Sequence, residues 1–125
     1  MQDTLSIIKP DGVRKKIVGK ILKRFEDNGF EIINPRYINL SKEEASEFYK
    51  THKEKPFYDR LCNYMSSGPI IVMKLSKNNA IEDFRKLIGS TNPQDAAKGT
   101  IRNLFATSIE ANAIHGSDSD ENAII

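Results

Sequence analysis

Two periods of hydrophobic spacing alternate along the chain. Leu5, Ile7 and Ile8 make a short apolar run that predicts a strand over Thr4 to Lys9, stopped by Pro10-Asp11-Gly12. Ile17, Val18, Ile21, Leu22 and Phe25 then fall on one face of a helix, which Asn28-Gly29 ends. Ile32, Ile33, Tyr37, Ile38 and Leu40 predict a second strand within Phe30 to Leu40. Pro35 has no amide hydrogen to give a ladder, which puts this strand at a sheet edge or at a bulge. Ser41 and Glu44 have the spacing of a capping box, so a helix starts there and runs to about His52.

Lys53 to Pro56 interrupts that helix, and Phe57, Leu61, Tyr64 and Met65 give another helical face, closed by Ser66-Ser67-Gly68-Pro69. Ile70 to Leu75 is a near-continuous apolar run, as in a central strand. Asn79 and Glu82 open a helix carrying Ile81, Phe84, Leu87 and Ile88, and Gly89 ends it. The pattern weakens from Gly89 to Ala111, where a short helix is expected near Arg102 to Ile109. Asn112 to His115 reads as a short last strand, Gly116 to Ser119 as a loop or cap, and Glu121 to Ile125 as the opening of a helix. Reduced to its frame, the order is βαββαβ. That is an α+β, ferredoxin-like fold: a four-stranded antiparallel sheet, helices on one face, and a long loop before the last strand. The frame alone leaves an enzyme, an RNA-binding module and a small-molecule regulatory domain open.

Composition narrows the classes. A chain of 125 residues, 38% hydrophobic and 29% charged, fits one globular domain with its own core. The 19 basic and 17 acidic residues leave a net charge of +2, too little for a whole face that binds polyanions. No apolar run approaches the ~18–20 residues that a membrane span needs. Met1-Gln2-Asp3-Thr4-Leu5 lacks the layout of a secretory signal. The single Cys62 excludes an internal disulfide framework and a Cys-rich zinc site, and it fits a reducing, cytoplasmic setting.

Candidate chemistry centres on few residues. Of the two histidines, His52 lies near a helix end beside Lys53 and reads as surface. His115 sits between the apolar pair Ala113-Ile114 and the small polar run Gly116-Ser117-Asp118-Ser119. Gly116 allows another group to approach closely, and Ser117 and Asp118 are placed to orient the ring. A satisfied structural histidine explains the same pattern equally well. Lys9, Arg85 and Arg102 are candidate phosphate cations, with Thr91 and Asn92 as hydroxyl and amide donors. No glycine-rich phosphate loop is present.

Several motifs together carry a resemblance. Ile8-Lys9-Pro10-Asp11-Gly12-Val13, Pro56-Phe57-Tyr58, Ser67-Gly68-Pro69, Gly89-Ser90-Thr91-Asn92-Pro93, Gly99-Thr100-Ile101-Arg102 and Asn112-Ala113-Ile114-His115-Gly116-Ser117-Asp118-Ser119 occur in this order. From Thr4 to its last residue the chain resembles a nucleoside diphosphate kinase of bacterial type. The resemblance implies an enzyme that moves the γ-phosphate of a nucleoside triphosphate, chiefly ATP, to nucleoside diphosphates. The route is ping-pong through a phosphohistidine on His115, and the product is the cell's pool of NTPs and dNTPs. It implies Lys9, Arg85, Thr91 and Arg102 on the phosphates, Phe57 against the base and Asn112 on the sugar. Tyr49, Leu61, Ile109 and Ser117 have supporting places. Mg²⁺ arrives with the nucleotide, no side chain binds it directly, and Asp118 reaches it through water.

The implied partners are nucleoside tri- and diphosphates, with no membrane and no specific nucleic acid. Members also form homo-oligomers, tetramers or hexamers built from dimers. The segment Pro35 to Leu40 is the expected dimer seam, since pairing covers an open edge. Three departures from the family pattern stand out. Asn103-Leu104 replaces a frequent Gly-Asp pair, Lys98 stands where proline is frequent, and the chain stops at Ile125. The expected organisation is therefore one kinase domain over 1–125 without the usual C-terminal tail. The expected consequence is slower transfer, because the next position in the family is a glutamate that hydrogen-bonds the histidine. Two rivals remain: a catalytically weakened structural or regulatory member, and an RNA-binding module, whose strand aromatics are missing from Ile70 to Leu75.

Overall fold

The computed structural model describes residues 1–108 and 111–116. Its sheet has four strands in the order β2-β3-β1-β4: β1 (Gln2–Ile8), β2 (Glu31–Ile38), β3 (Ile70–Lys77) and β4 (Ile114–Gly116). All three pairings are antiparallel. β3 is internal, as its continuous apolar run predicts. β2 lies at an edge, and its register slips between Ile33 and Arg36, around Asn34-Pro35. Pro35 therefore marks both an edge and a bulge.

The two crossover helices of the frame are α2 (Val18–Asp27) and α5 (Ala80–Ile88). They pack on one face through Ile21, Phe25, Phe84 and Ile88 against Ile8, Met73 and Leu75. The other face is not bare. α3 (Lys42–Phe48) and α4 (Tyr58–Met65) cover it with Ala45, Cys62 and Met65 against Leu5, Ile7 and Ile70. Neighbours such as Ile7 and Ile8 serve opposite cores because side chains alternate along a strand. The capping box at Ser41 and Glu44 is made in both directions, at 2.9 and 3.0 Å. α3 stops at Phe48 and continues as a 3₁₀ turn, Lys50–His52.

Several boundaries differ from the sequence expectation, and those nearest the ends of β1 and β4 matter most for the site. Pro10-Asp11-Gly12 ends β1 but also starts a short helix, α1 (Pro10–Arg14). Proline suits a first helical position, where its missing amide hydrogen costs nothing. The helix expected near Arg102 to Ile109 is α6 (Ile101–Phe105), capped by the Thr100 side chain. β4 begins at Ile114 rather than Asn112, because Ala113 has φ +70° and cannot extend a ladder. The expectations for Ser117 to Ile125 lie outside the described residues. Among those described, no helix is long and apolar enough to cross a membrane.

Phe25, Phe30 and Phe84 form an edge-to-face triad, with ring centroids 5.5 to 6.5 Å apart. This triad seats α5, and with it Arg85, against the sheet. Truncating Phe84 to alanine removes the ring that both others touch, and urea unfolding should register a loss of about 3–5 kcal/mol. A loss under about 1 kcal/mol would show that the triad does not anchor α5.

Candidate functional site

β4 is the reference for the site. His115 pairs with Ile7, so its ring lies on the face covered by α3 and α4. It meets Phe48 and Tyr49 edge-on, with centroids 5.9 and 6.0 Å away. In front of it opens a cleft of about 1950 Å³. The walls hold nine of the residues singled out in the sequence. Lys9 comes from the end of β1, Tyr49, Phe57 and Leu61 from the α3–α4 region, and Arg85 from α5. Thr91, Arg102, Asn112 and His115 complete the set. Ile109, Ser117 and Asp118 lie outside the described residues.

Arg102 is 8% exposed. Its guanidinium donates to the carbonyl of Gly89 at 3.0 Å and to that of Ile114 at 2.8 Å. Burial, then the nearby Arg85, brings its pKa down to about 10, so it is still a cation at neutral pH. Nε has no partner among the described residues. Two guanidinium groups close enough to oppose each other's charge favour an anion between them. Asn112 is 1% exposed; its amide donates to the Thr91 carbonyl at 3.1 Å, while Oδ1 is buried without a partner among the described residues. The buried Tyr49 hydroxyl also has no partner there, and burial raises its pKa. Phe57, 38% exposed, offers an apolar ring at the cleft mouth.

Gly116 does let another group approach. A Cβ there would lie 2.8 Å from the Phe84 ring and 3.1 Å from Ile88 Cδ1. β4 can thus lie against α5 only with glycine at this position. His52 is placed differently from its surface reading: it lines the cleft, with its ring 6.3 Å from Tyr49 and 5.9 Å from Phe57. Its i+3 spacing from Tyr49 was the available signal. Asp11, which the sequence reading left in a turn, is buried and bonded to the segment before His115.

The chemistry of the cleft follows from this set. Lys9, Arg85 and Arg102 supply positive charge near an imidazole, with an apolar ring at the edge. That suits an anionic ligand with a flat apolar end. Among the described residues, no group of three or more His, Cys, Asp or Glu side chains could hold a metal ion.

Tyr49 and Tyr64 both have raised pKa values, mainly through burial and, for Tyr64, next through its hydrogen bond to Asp11. A phenol raised above its ordinary value near 10 contributes stability that is complete below pH ~10 and lost as pH rises further. In an alkaline titration followed by ultraviolet difference absorbance, two of the four tyrosines should therefore ionise only with loss of the circular dichroism signal. Tyr49→Phe and Tyr64→Phe should each remove one delayed phenol. Complete ionisation of all four with the fold intact would contradict the placement of both rings.

The family model described as nucleoside diphosphate kinase matches residues 2–125. A nucleoside diphosphate kinase of Nitratiruptor sp. is 56% identical over 123 residues, covering 98% of this chain and 90% of that protein. One from Campylobacter jejuni subsp. jejuni is 54% identical over 125 residues, covering 100% and 91%. Among solved structures, the Aquifex aeolicus nucleoside diphosphate kinase superposes with a TM-score of 0.96 at 42% identity, over 98% of this chain and 89% of that one. The Halobacterium salinarum nucleoside diphosphate kinase in complex with CDP gives 0.93 at 36%, over 98% and 84%.

Proposed function

The chain belongs to the nucleoside diphosphate kinase family, a family of nucleotide-binding phosphotransferases that require a divalent cation, and from that premise we propose a ping-pong transfer through His115. The observation that supports it is one cleft that holds His115 together with Lys9, Arg85 and Arg102. A neutral imidazole nitrogen attacks the γ-phosphorus of a nucleoside triphosphate, chiefly ATP. A nitrogen–phosphorus bond forms, the bond to the β–γ bridging oxygen breaks, and the diphosphate leaves with that electron pair. A second nucleoside diphosphate enters the same cleft. Its terminal oxygen attacks the phosphohistidine, and the imidazole is restored.

Each lining residue then has a role in the proposal. Lys9, Arg85 and Arg102 neutralise phosphate charge that builds in the transition state, and Thr91 adds a donor. Asn112 meets the sugar. Phe57 and Leu61 clamp the base, with Ile109 completing the clamp. Tyr49 and Ser117 support the histidine. Mg²⁺ enters as part of the nucleotide substrate, with Asp118 touching its water shell. A phenyl face discriminates little between bases, which predicts wide base tolerance. The proposed setting is the cytoplasm and the proposed task the upkeep of NTP and dNTP pools. The proposed unit of assembly is a dimer through β2, an edge strand that carries the 65%-exposed Tyr37, repeated into a tetramer or hexamer.

Purified protein incubated with labelled Mg-ATP should take up one phosphoryl group per chain in an acid-labile, alkali-stable linkage. His115→Gln should abolish labelling and exchange. Label that survives the substitution would move the nucleophile elsewhere. Light scattering at micromolar concentration should give an even multiple of the chain mass, and a monomer mass would remove the β2 seam.

A further inference from the structure

His115 follows a strained turn. Ala113 has φ +70°, and the Ile114 amide donates to the Asn112 carbonyl at 2.8 Å, across Ala113. A bond from i+2 back to i around a residue with positive φ is a γ-turn of the rare, strained kind. An alanine gains nothing by itself from that conformation, so the surroundings must impose it. They do so through the segment between β1 and α1. The Lys9 amide donates to the Ala113 carbonyl at 2.8 Å. The Ala113 amide donates to Asp11 Oδ2 at 3.0 Å. Asp11 Oδ1 in turn accepts from the Tyr64 hydroxyl at 2.6 Å, and the same hydroxyl accepts from the Asp11 amide at 3.0 Å. Asp11 is buried, and both of its carboxylate oxygens are engaged. Tyr64 lies on α4, the helix that also carries Leu61.

We infer that Asp11 is a positioning residue for His115: its carboxylate holds the γ-turn at Ala113 that aims the histidine into the cleft, and Tyr64 ties this clamp to α4. The inference rests on His115 as the nucleophile. Asp11 is not among the described residues that line the cleft. It acts on the backbone two residues upstream, where a small rotation displaces the imidazole from its line of attack. Losses of this kind fall on the rate of transfer rather than on binding, because the ligand meets the same wall in both states.

Rapid-quench measurement of His115 phosphorylation by Mg-ATP, alongside ADP binding by calorimetry, tests the assignment. Asp11→Ala should slow the single-turnover rate by about 10–100-fold and leave the ADP dissociation constant within about 3-fold. Asp11→Asn keeps an oxygen that can accept from the Ala113 amide, and should recover most of the rate. Adding Ala113→Gly to Asp11→Ala should recover part of it, since glycine takes a positive φ without a side-chain penalty. Tyr64→Phe, which leaves the bond to Ala113 in place, should slow the step by about 3–10-fold, and it carries the test if Asp11→Ala does not fold. An Asp11→Ala rate within 3-fold of the parent, a parallel loss of ADP affinity, or no recovery in Asp11→Asn would overturn the assignment. So would an unchanged rate in Tyr64→Phe. Failure of the parent protein to label at His115 would count against the proposed function instead. The inference is then decided by the ¹H–¹⁵N resonances of the His115 ring, which should move in Asp11→Ala and return in Asp11→Asn; an unmoved ring would refute it.

Discussion

β4 is three residues long and contributes only three pairings to β1, yet it carries a histidine of the cleft wall. So short a strand cannot hold its own register, because the entropy of ordering it is large against three rungs of ladder. The chain solves this by fixing the residues before His115 one at a time. Asn112 is tied to Thr91, Ala113 to Lys9 and Asp11, and Ile114 to Arg102. Gly116 then lets the strand settle against Phe84. The histidine is thus held by bonds from α1, α6 and the long loop, with the aromatic core behind it.

These tethers share residues with the cleft wall. Arg102 uses two N–H groups on backbone carbonyls and still faces the cleft as a cation. Lys9 pairs its amide with Ala113 while its side chain lines the wall. Burying guanidinium charge is unfavourable, as the lowered pKa of Arg102 records. Carbonyl acceptors from Gly89 and Ile114 relieve part of that cost. A site whose cations oppose each other when empty binds an anion with a corresponding gain.

The two faces of the sheet divide the labour. α2 and α5 bury the larger core, with its phenylalanine triad, and fix the position of Arg85. α3 and α4 form a second, smaller core and bring Tyr49, His52, Phe57 and Leu61 over the end of β1. The cleft opens where this second layer stops. Insertion of one helical hairpin into the βαββαβ frame therefore turns a plain sheet face into the wall of a site.

What the sequence determined by itself was local. Hydrophobic period placed the strands and main helices, Ser41 and Glu44 marked a cap that forms as read, and Pro35 marked an edge and a bulge. The motifs around Lys9, Thr91, Arg102 and His115 showed which residue types stood ready for phosphate chemistry, and the family they resemble is the family to which the chain belongs. Such features are legible because each depends on residues a few positions apart. Tertiary structure decided the rest. Asp11 is 102 residues from Ala113, and no spacing in the chain announces that pair. His52 resembled a surface residue until packing set it beside Tyr49 and Phe57. The positive φ of Ala113 contradicts the preference of alanine, so only contacts from distant segments could impose it. The physical reason is the same in each case: side-chain chemistry and short-range spacing are written residue by residue, whereas a group's partners exist only once the chain has closed on itself.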